Sequence, residues 1–149
     1  MVDLSKAFDA ANSAVATEID ALNSFAKNLA DNLSPALEIL LSCKGHVVIA
    51  GLGKSGLVGA KIAATLASTG TPSFFMHAAD ALHGDSGALT PDDVLIAISN
   101  SGETSEVNAL TEMAKGWGNK TIAITKSVDS TLAKSADAVI SIAFEKEAD

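Results

Sequence analysis

Gly45-His46-Val47-Val48-Ile49-Ala50-Gly51-Leu52-Gly53-Lys54-Ser55-Gly56 runs from a short apolar stretch with β-branched residues straight into a glycine turn. An apolar run without alternating polar residues reads as a strand buried on both faces, the habit of parallel sheets. A helical stretch follows from about Ser55 to Ser68, until Gly70-Thr71-Pro72 breaks it, and Ser73-Phe74-Phe75-Met76 reads as the next strand. His77 to Gly87 is rich in His, Asp and Gly and shows no clear period. Val94 to Ile98 then forms a third strand, Thr121 to Thr125 a fourth and Ala138 to Ile142 a fifth. Helices are expected between Glu106 and Trp117-Gly118 and at Leu132 to Ser135. Strands and helices in this rhythm predict an α/β fold, a five-stranded doubly wound parallel sheet flanked by helices, of flavodoxin or Rossmann type.

Upstream, the first forty or so residues read as helical. Ile19, Leu22, Phe25, Leu29 and Leu33 recur three or four positions apart, which places them on one helix face. Ser34-Pro35 reads as an N-cap with proline at the first helical position, opening a second helix to about Cys43. At 149 residues, without repeat, low-complexity tract or linker, residues 1–149 are expected to form one domain.

Composition excludes several functions. All ten basic residues are lysine, against 18 acids, so the formal charge is −8. An acidic chain without arginine lacks both the field and the bidentate forks that nucleic-acid binding uses. Any phosphate must therefore be held by backbone N–H groups, hydroxyls and lysine. One cysteine, Cys43, gives neither a disulfide nor a metal-ligand pair. Neither a secretory signal nor an apolar run of membrane-spanning length is visible, so a soluble cytoplasmic protein is expected.

Ligands of open parallel sheets bind where strand ends feed helix N-termini. Gly51-Leu52-Gly53-Lys54-Ser55-Gly56 fits G-x-G-x-x-G, but no acid closes the following strand, Asp80 being the nearest, which disfavours a dinucleotide. A Walker A reading would need glycine at Val48, inside the strand. What remains is a tight turn aiming N–H groups, Lys54 and Ser55 into one crevice. In Ser99-Asn100-Ser101-Gly102-Glu103-Thr104-Ser105-Glu106, four hydroxyl residues crowd a helix start. Helix capping explains one hydroxyl; an anion cradle of N–H and O–H donors explains all of them. Glu103 and Glu106 suit a helix's first turn, and either carboxylate could also serve as a base. His77 and His83 lack metal spacing, so hydrogen bonding is the preferred reading and no metal is expected.

Together with Ala63-Ala64-Thr65-Leu66-Ala67-Ser68-Thr69-Gly70-Thr71-Pro72-Ser73-Phe74-Phe75 and His83-Gly84-Asp85, these two loops resemble the SIS (sugar isomerase) family, and within it the arabinose 5-phosphate isomerases. The resemblance spans roughly Gly45 to Ala148. It implies interconversion of ribulose 5-phosphate and arabinose 5-phosphate, a step toward the lipopolysaccharide sugar Kdo, without a cofactor. It implies catalytic roles for Lys54, Glu106 and Glu147, with His83 near the active site. Gly53, Ser55, Gly56, Ser99, Asn100, Ser101, Gly102 and Thr104 would surround the sugar phosphate. It further implies a homodimer or homotetramer, here expected to use the N-terminal helix.

The chain departs from the family at Leu57 and Ala60, where histidine and arginine are usual. The family's paired CBS modules have no counterpart in these residues. Nor has the long helix bearing a catalytic histidine, which in the family follows the position of Asp149; without it, one sheet face is expected to be under-covered. A non-catalytic sugar-phosphate-binding module and a hexulose-phosphate isomerase are the competing readings.

Overall fold

The structure is a computed structural model that describes residues 3–144, 146 and 148. Its centre is β1 (Val47–Gly51), every residue of which is buried. β1 lies between β2 (Ser73–His77) and β3 (Val94–Ile98), and the sheet continues through β4 (Lys120–Thr125) to β5 (Ala138–Ser141). The order is β2-β1-β3-β4-β5, with every neighbouring pair parallel. The chain first builds outward from β1 to β2, then crosses back to β3 and builds the other way. The reversal makes the carboxyl ends of β1 and β3 the switch point of the sheet.

Side-chain alternation along the buried strands supplies two cores. Val47, Ile49, Val94, Ile96, Ile98 and Ile122 point to one face, where Ala36 of α2 (Leu29–Ser42) and Ala63 of α3 (Gly53–Ser68) pack. Val48, Ala50 and Leu95 point to the other, against Leu110 and Ala114 of α5 (Ser105–Gly116) and Ala81 of the single-turn α4 (Ala78–Ala81). Ala97 and Ala123 continue that face beneath Val107 and beneath Leu132 of α6 (Thr131–Ser135). Ile49, Leu95, Leu110, Ile122 and Leu132 are wholly shielded from water, each stabilising the fold by ~1.5–3 kcal/mol before chain entropy is subtracted. Small residues let the layers close up: a Cβ on Gly56 would sit 3.3 Å from both the Gly51 carbonyl oxygen and the Phe75 ring.

The N-terminal region departs from expectation. The helix break falls at Asn28, between α1 (Leu4–Lys27) and α2, and Pro35 lies inside α2 rather than at its start. Asp31 and Pro35 are both exposed, so water can serve the carbonyl that the missing proline N–H leaves free. Ser34 does not cap; its hydroxyl donates back to the Ala30 carbonyl at 2.6 Å. α2 packs on β5, where Ala138 is buried while Val139, Ile140 and Ser141 are half-buried. Asn32 of α2 also closes the outer edge of β5, donating to the Ser141 carbonyl and accepting its N–H, both at 2.8 Å. The periodless stretch after β2 holds α4 and a 3-10 turn, Asp85–Ala88, both too short to show a period. Among the described residues, no helix is long and apolar enough to cross a membrane.

Candidate functional site

Gly51 and Ile98, the last residues of β1 and β3, are register partners. The two sequence-predicted loops therefore leave from adjoining strand ends on the same sheet edge. α3 and α5, which they feed, share a further feature. Neither Leu52, the N-cap of α3, nor Thr104, the N-cap of α5, makes a side-chain capping bond. Asp3 caps α1 and Ser130 caps α6 through their side chains, whereas the N-caps of α2 and α4, away from these two loops, make no such bond either. Neither α3 nor α5 thus has a bond from its N-cap side chain at the switch point, where their positive dipole ends favour an anion.

The hydroxyls of the second loop divide by role. Ser99 is 2% exposed; its hydroxyl pairs with that of Thr104 at 2.8 Å and accepts the Gly102 N–H at 3.1 Å. Ser99, Gly102 and Thr104 are thus brought together as the frame of the loop. Ser101 is exposed and accepts the Glu103 N–H at 3.2 Å, so it caps a turn within the loop and not α5 itself. Asn100 is exposed, and its carbonyl accepts the Lys126 N–H at 3.0 Å and the Thr125 hydroxyl at 3.2 Å. Gly102 has φ 70°. Any side chain there would collide with Ser130 and approach Thr125 Oγ1 to 2.9 Å.

Gly53 and Lys54 open α3, and Lys54 is exposed with no ion pair among the described residues. Ser55 is half-buried beside it, with the buried Gly56 next in the same turn. Glu106 stands in the first turn of α5, where Ser105 Oγ donates to it at 3.0 Å. Its own backbone N–H, then that hydroxyl, hold its carboxyl below the usual range. Lys54 and Glu106 occupy corresponding first-turn positions on the two helices, without a direct bond between them. His83 is exposed in the segment after α4 and makes no side-chain hydrogen bond to these residues. Glu147 lies outside the described residues. No group of three or more metal-ligating side chains occurs among the described residues.

Glu103 is a possible base on sequence grounds, but the fold engages it elsewhere. Its carboxylate accepts the Thr131 N–H at 2.8 Å and the Thr131 hydroxyl at 2.7 Å, at the start of α6. Thr125, Ser130 and Thr131, which brace the loop, carry no sequence signal beyond small polar residues after a strand.

The SIS domain family model matches residues 40–148. Arabinose 5-phosphate isomerase KpsF of Escherichia coli O6:H1 (strain CFT073) is 52% identical over 134 residues, covering 89% of this chain and 41% of that protein. Arabinose 5-phosphate isomerase KdsD of Pseudomonas aeruginosa is 48% identical over 134 residues, with 90% and 41% covered. A solved chain from E. coli CFT073, in complex with arabinose 5-phosphate, superposes with a TM-score of 0.92 at 40% identity, covering 99% of this chain and 79% of that one. The chain spans about two fifths of the length of the two curated relatives. A family match over most of the chain, relatives near half identical and a shared fold lead to one conclusion: the chain belongs to the SIS domain family.

Proposed function

We propose that the crevice between the two loops binds a pentose 5-phosphate and isomerises it, interconverting arabinose 5-phosphate and ribulose 5-phosphate. One observation carries this reading: α3 and α5 open uncapped at the switch point, with Lys54 in one first turn and Glu106 in the other. The names of the relatives supply the sugar. The phosphate would lie against the N–H groups of α5 and the hydroxyls of Ser101 and Thr104, with Ser99 framing the loop behind them, Ser55, Gly53 and Gly56 forming the opposite wall and Asn100 and Gly102 the floor.

Isomerisation moves one proton between C1 and C2 through an enediol, while a second passes between the two oxygens. Glu106, ionised at neutral pH, takes the carbon-bound proton and returns it to the neighbouring carbon. A bound phosphate dianion would oppose the hydrogen bonds that hold the Glu106 carboxyl below the usual range. Lys54 stabilises the oxyanion of the enediolate. Glu147 is the second candidate for the proton transfer, and His83 belongs to the sugar's surroundings. The scheme calls on no metal or organic cofactor.

The 149 residues act in this reading as one sugar-phosphate-binding unit. α1 exposes an apolar stripe and we assign it to self-association, as a homodimer or homotetramer. The competing reading is a non-catalytic sugar-phosphate-binding module, which would use the same crevice without the proton transfer. Adding arabinose 5-phosphate to the purified chain and following ketopentose formation separates the two. Turnover is expected. Binding without turnover would favour the second reading, and absence of both would overturn the site.

A further inference from the structure

Within residues 99–104, Glu103 is the only acid, and a carboxylate beside an anion cradle repels the anion it serves. The fold turns its side chain to the start of α6, where both carboxylate oxygens find donors in Thr131. The Thr131 N–H, then the Thr131 hydroxyl, hold the carboxyl below its usual range, so it stays ionised and engaged.

The first N–H groups of α6 are used up in one place. That of Thr131 goes to Glu103 at 2.8 Å, that of Leu132 to the Gly102 carbonyl at 3.0 Å, and that of Ala133 to Ser130 Oγ at 3.2 Å. Two of these three donors hold the Ser99–Thr104 loop. Asn108 adds a further bond to the Gly102 carbonyl at 3.3 Å, from within α5. Two helix starts therefore meet at this loop with opposite use: α6 grips it, while α5 is left without a side-chain cap.

We propose that Glu103 is a positioning residue for anion recognition: by clamping Thr131 it holds the Ser99–Thr104 loop in the shape that presents the α5 N-terminus to the phosphate. This inference rests on the reading of the crevice as a sugar-phosphate site. It assigns Glu103 no contact with the sugar and no proton transfer. The clamp also keeps the one negative charge of the loop paired away from the phosphate.

The test uses Glu103→Ala, Glu103→Gln and Thr131→Val in the full chain, with three readouts. These are amide hydrogen exchange at Gly102 and Glu103 without ligand, calorimetric affinity for arabinose 5-phosphate, and separate kcat and KM. Loss of a hydrogen bond to a charged group predicts about tenfold faster exchange and about tenfold higher Kd and KM in Glu103→Ala, with kcat within about twofold. Glu103→Gln keeps an acceptor for the Thr131 N–H and should recover much of both effects. Thr131→Val should fall between, and combining it with Glu103→Ala should add little. Wild-type exchange and affinity in Glu103→Ala would overturn the clamp, as would a fall in kcat at unchanged KM. If the wild-type chain neither binds nor converts the sugar phosphate, the functional reading fails by itself, and the exchange rates still decide the clamp.

Discussion

Gly102 couples conformation to packing more tightly than any other residue of the site. Its φ of 70° is costly for an L side chain, and the space its Cβ would take is filled by Ser130. Ser130 cannot step aside cheaply, because its hydroxyl donates to the Ser127 carbonyl at 2.7 Å and accepts the Ala133 N–H. Gly102→Ala should therefore destabilise the chain by on the order of 2–4 kcal/mol or push the loop out of shape. Urea unfolding and sugar-phosphate affinity read the two outcomes, and a variant normal in both would contradict the packing argument. Lys54→Ala and Glu106→Gln test the chemistry instead. Each should lower kcat by roughly 10²–10⁴-fold while leaving stability within about 0.5 kcal/mol, since neither side chain is in the core. Wild-type turnover in either would remove that residue from the mechanism. The hydroxyl cluster and the two first-turn charges were legible in the sequence because each lies within a few residues of a strand end. The role of Glu103 was not, because its partner Thr131 is 28 residues away and only the fold brings them together.

At the scale of elements, the strands read well from sequence because a doubly covered strand is an unbroken apolar run. Val94–Ile98 is found with the expected ends, and the other strands shift by a residue or so. The helices of the N-terminal region read less well. Their break at Asn28 has neither glycine nor proline to mark it, whereas Pro35 invites a boundary that an exposed helix face does not need. α1 itself poses an energetic question. It has no buried residue, and Leu4, Phe8, Val15, Ile19 and Leu22 are each more than half exposed. Phe8, Val15 and Leu22 recur at intervals of seven, the spacing of a seam that packs on another helix. A helix ~36 Å long with no buried residue is marginal in water by itself, and the proposed self-association would cover its stripe with an identical one from a second copy. Phe8→Glu combined with Leu22→Glu should shift the chain toward monomer in light scattering at micromolar concentration and reduce its helical circular dichroism. A wild-type monomer of undiminished helicity would remove the self-association assignment.

Over the whole molecule, the two edges of the sheet are treated oppositely. The carboxyl edge leaves α3 and α5 without a bond from their N-cap side chains, while the amino edge is fastened by two carboxylates. Asp93, 2% exposed, accepts the His46 N–H at 2.6 Å and the Thr90 N–H at 2.7 Å, joining β1 to β3. Asp137 accepts the Thr121 N–H and hydroxyl, each at 2.9 Å, and pairs with Lys120, joining β4 to β5. Burial alone would raise both carboxyls. The donors outweigh it and hold each below the usual carboxylate range, with nearby His46 assisting Asp93 and Lys120 assisting Asp137. The direction of the pH effect follows. An unfolded aspartate titrates at about 3.9, so below that value the unfolded chain binds protons that the folded one refuses. Stability is fully present above about pH 4 and falls as pH drops through the depressed folded pKa values. Asp93→Asn removes this dependence at one site but turns an amide N–H toward a backbone N–H, at a cost on the order of 2–3 kcal/mol. Urea melts from pH 7 down to about 2.5 should thus show a less stable variant at neutral pH whose acid limb is shallower than wild type. Parallel curves would mean that Asp93 is not a fastener of the amino edge, leaving Asp137 as the carboxylate that ties strands there.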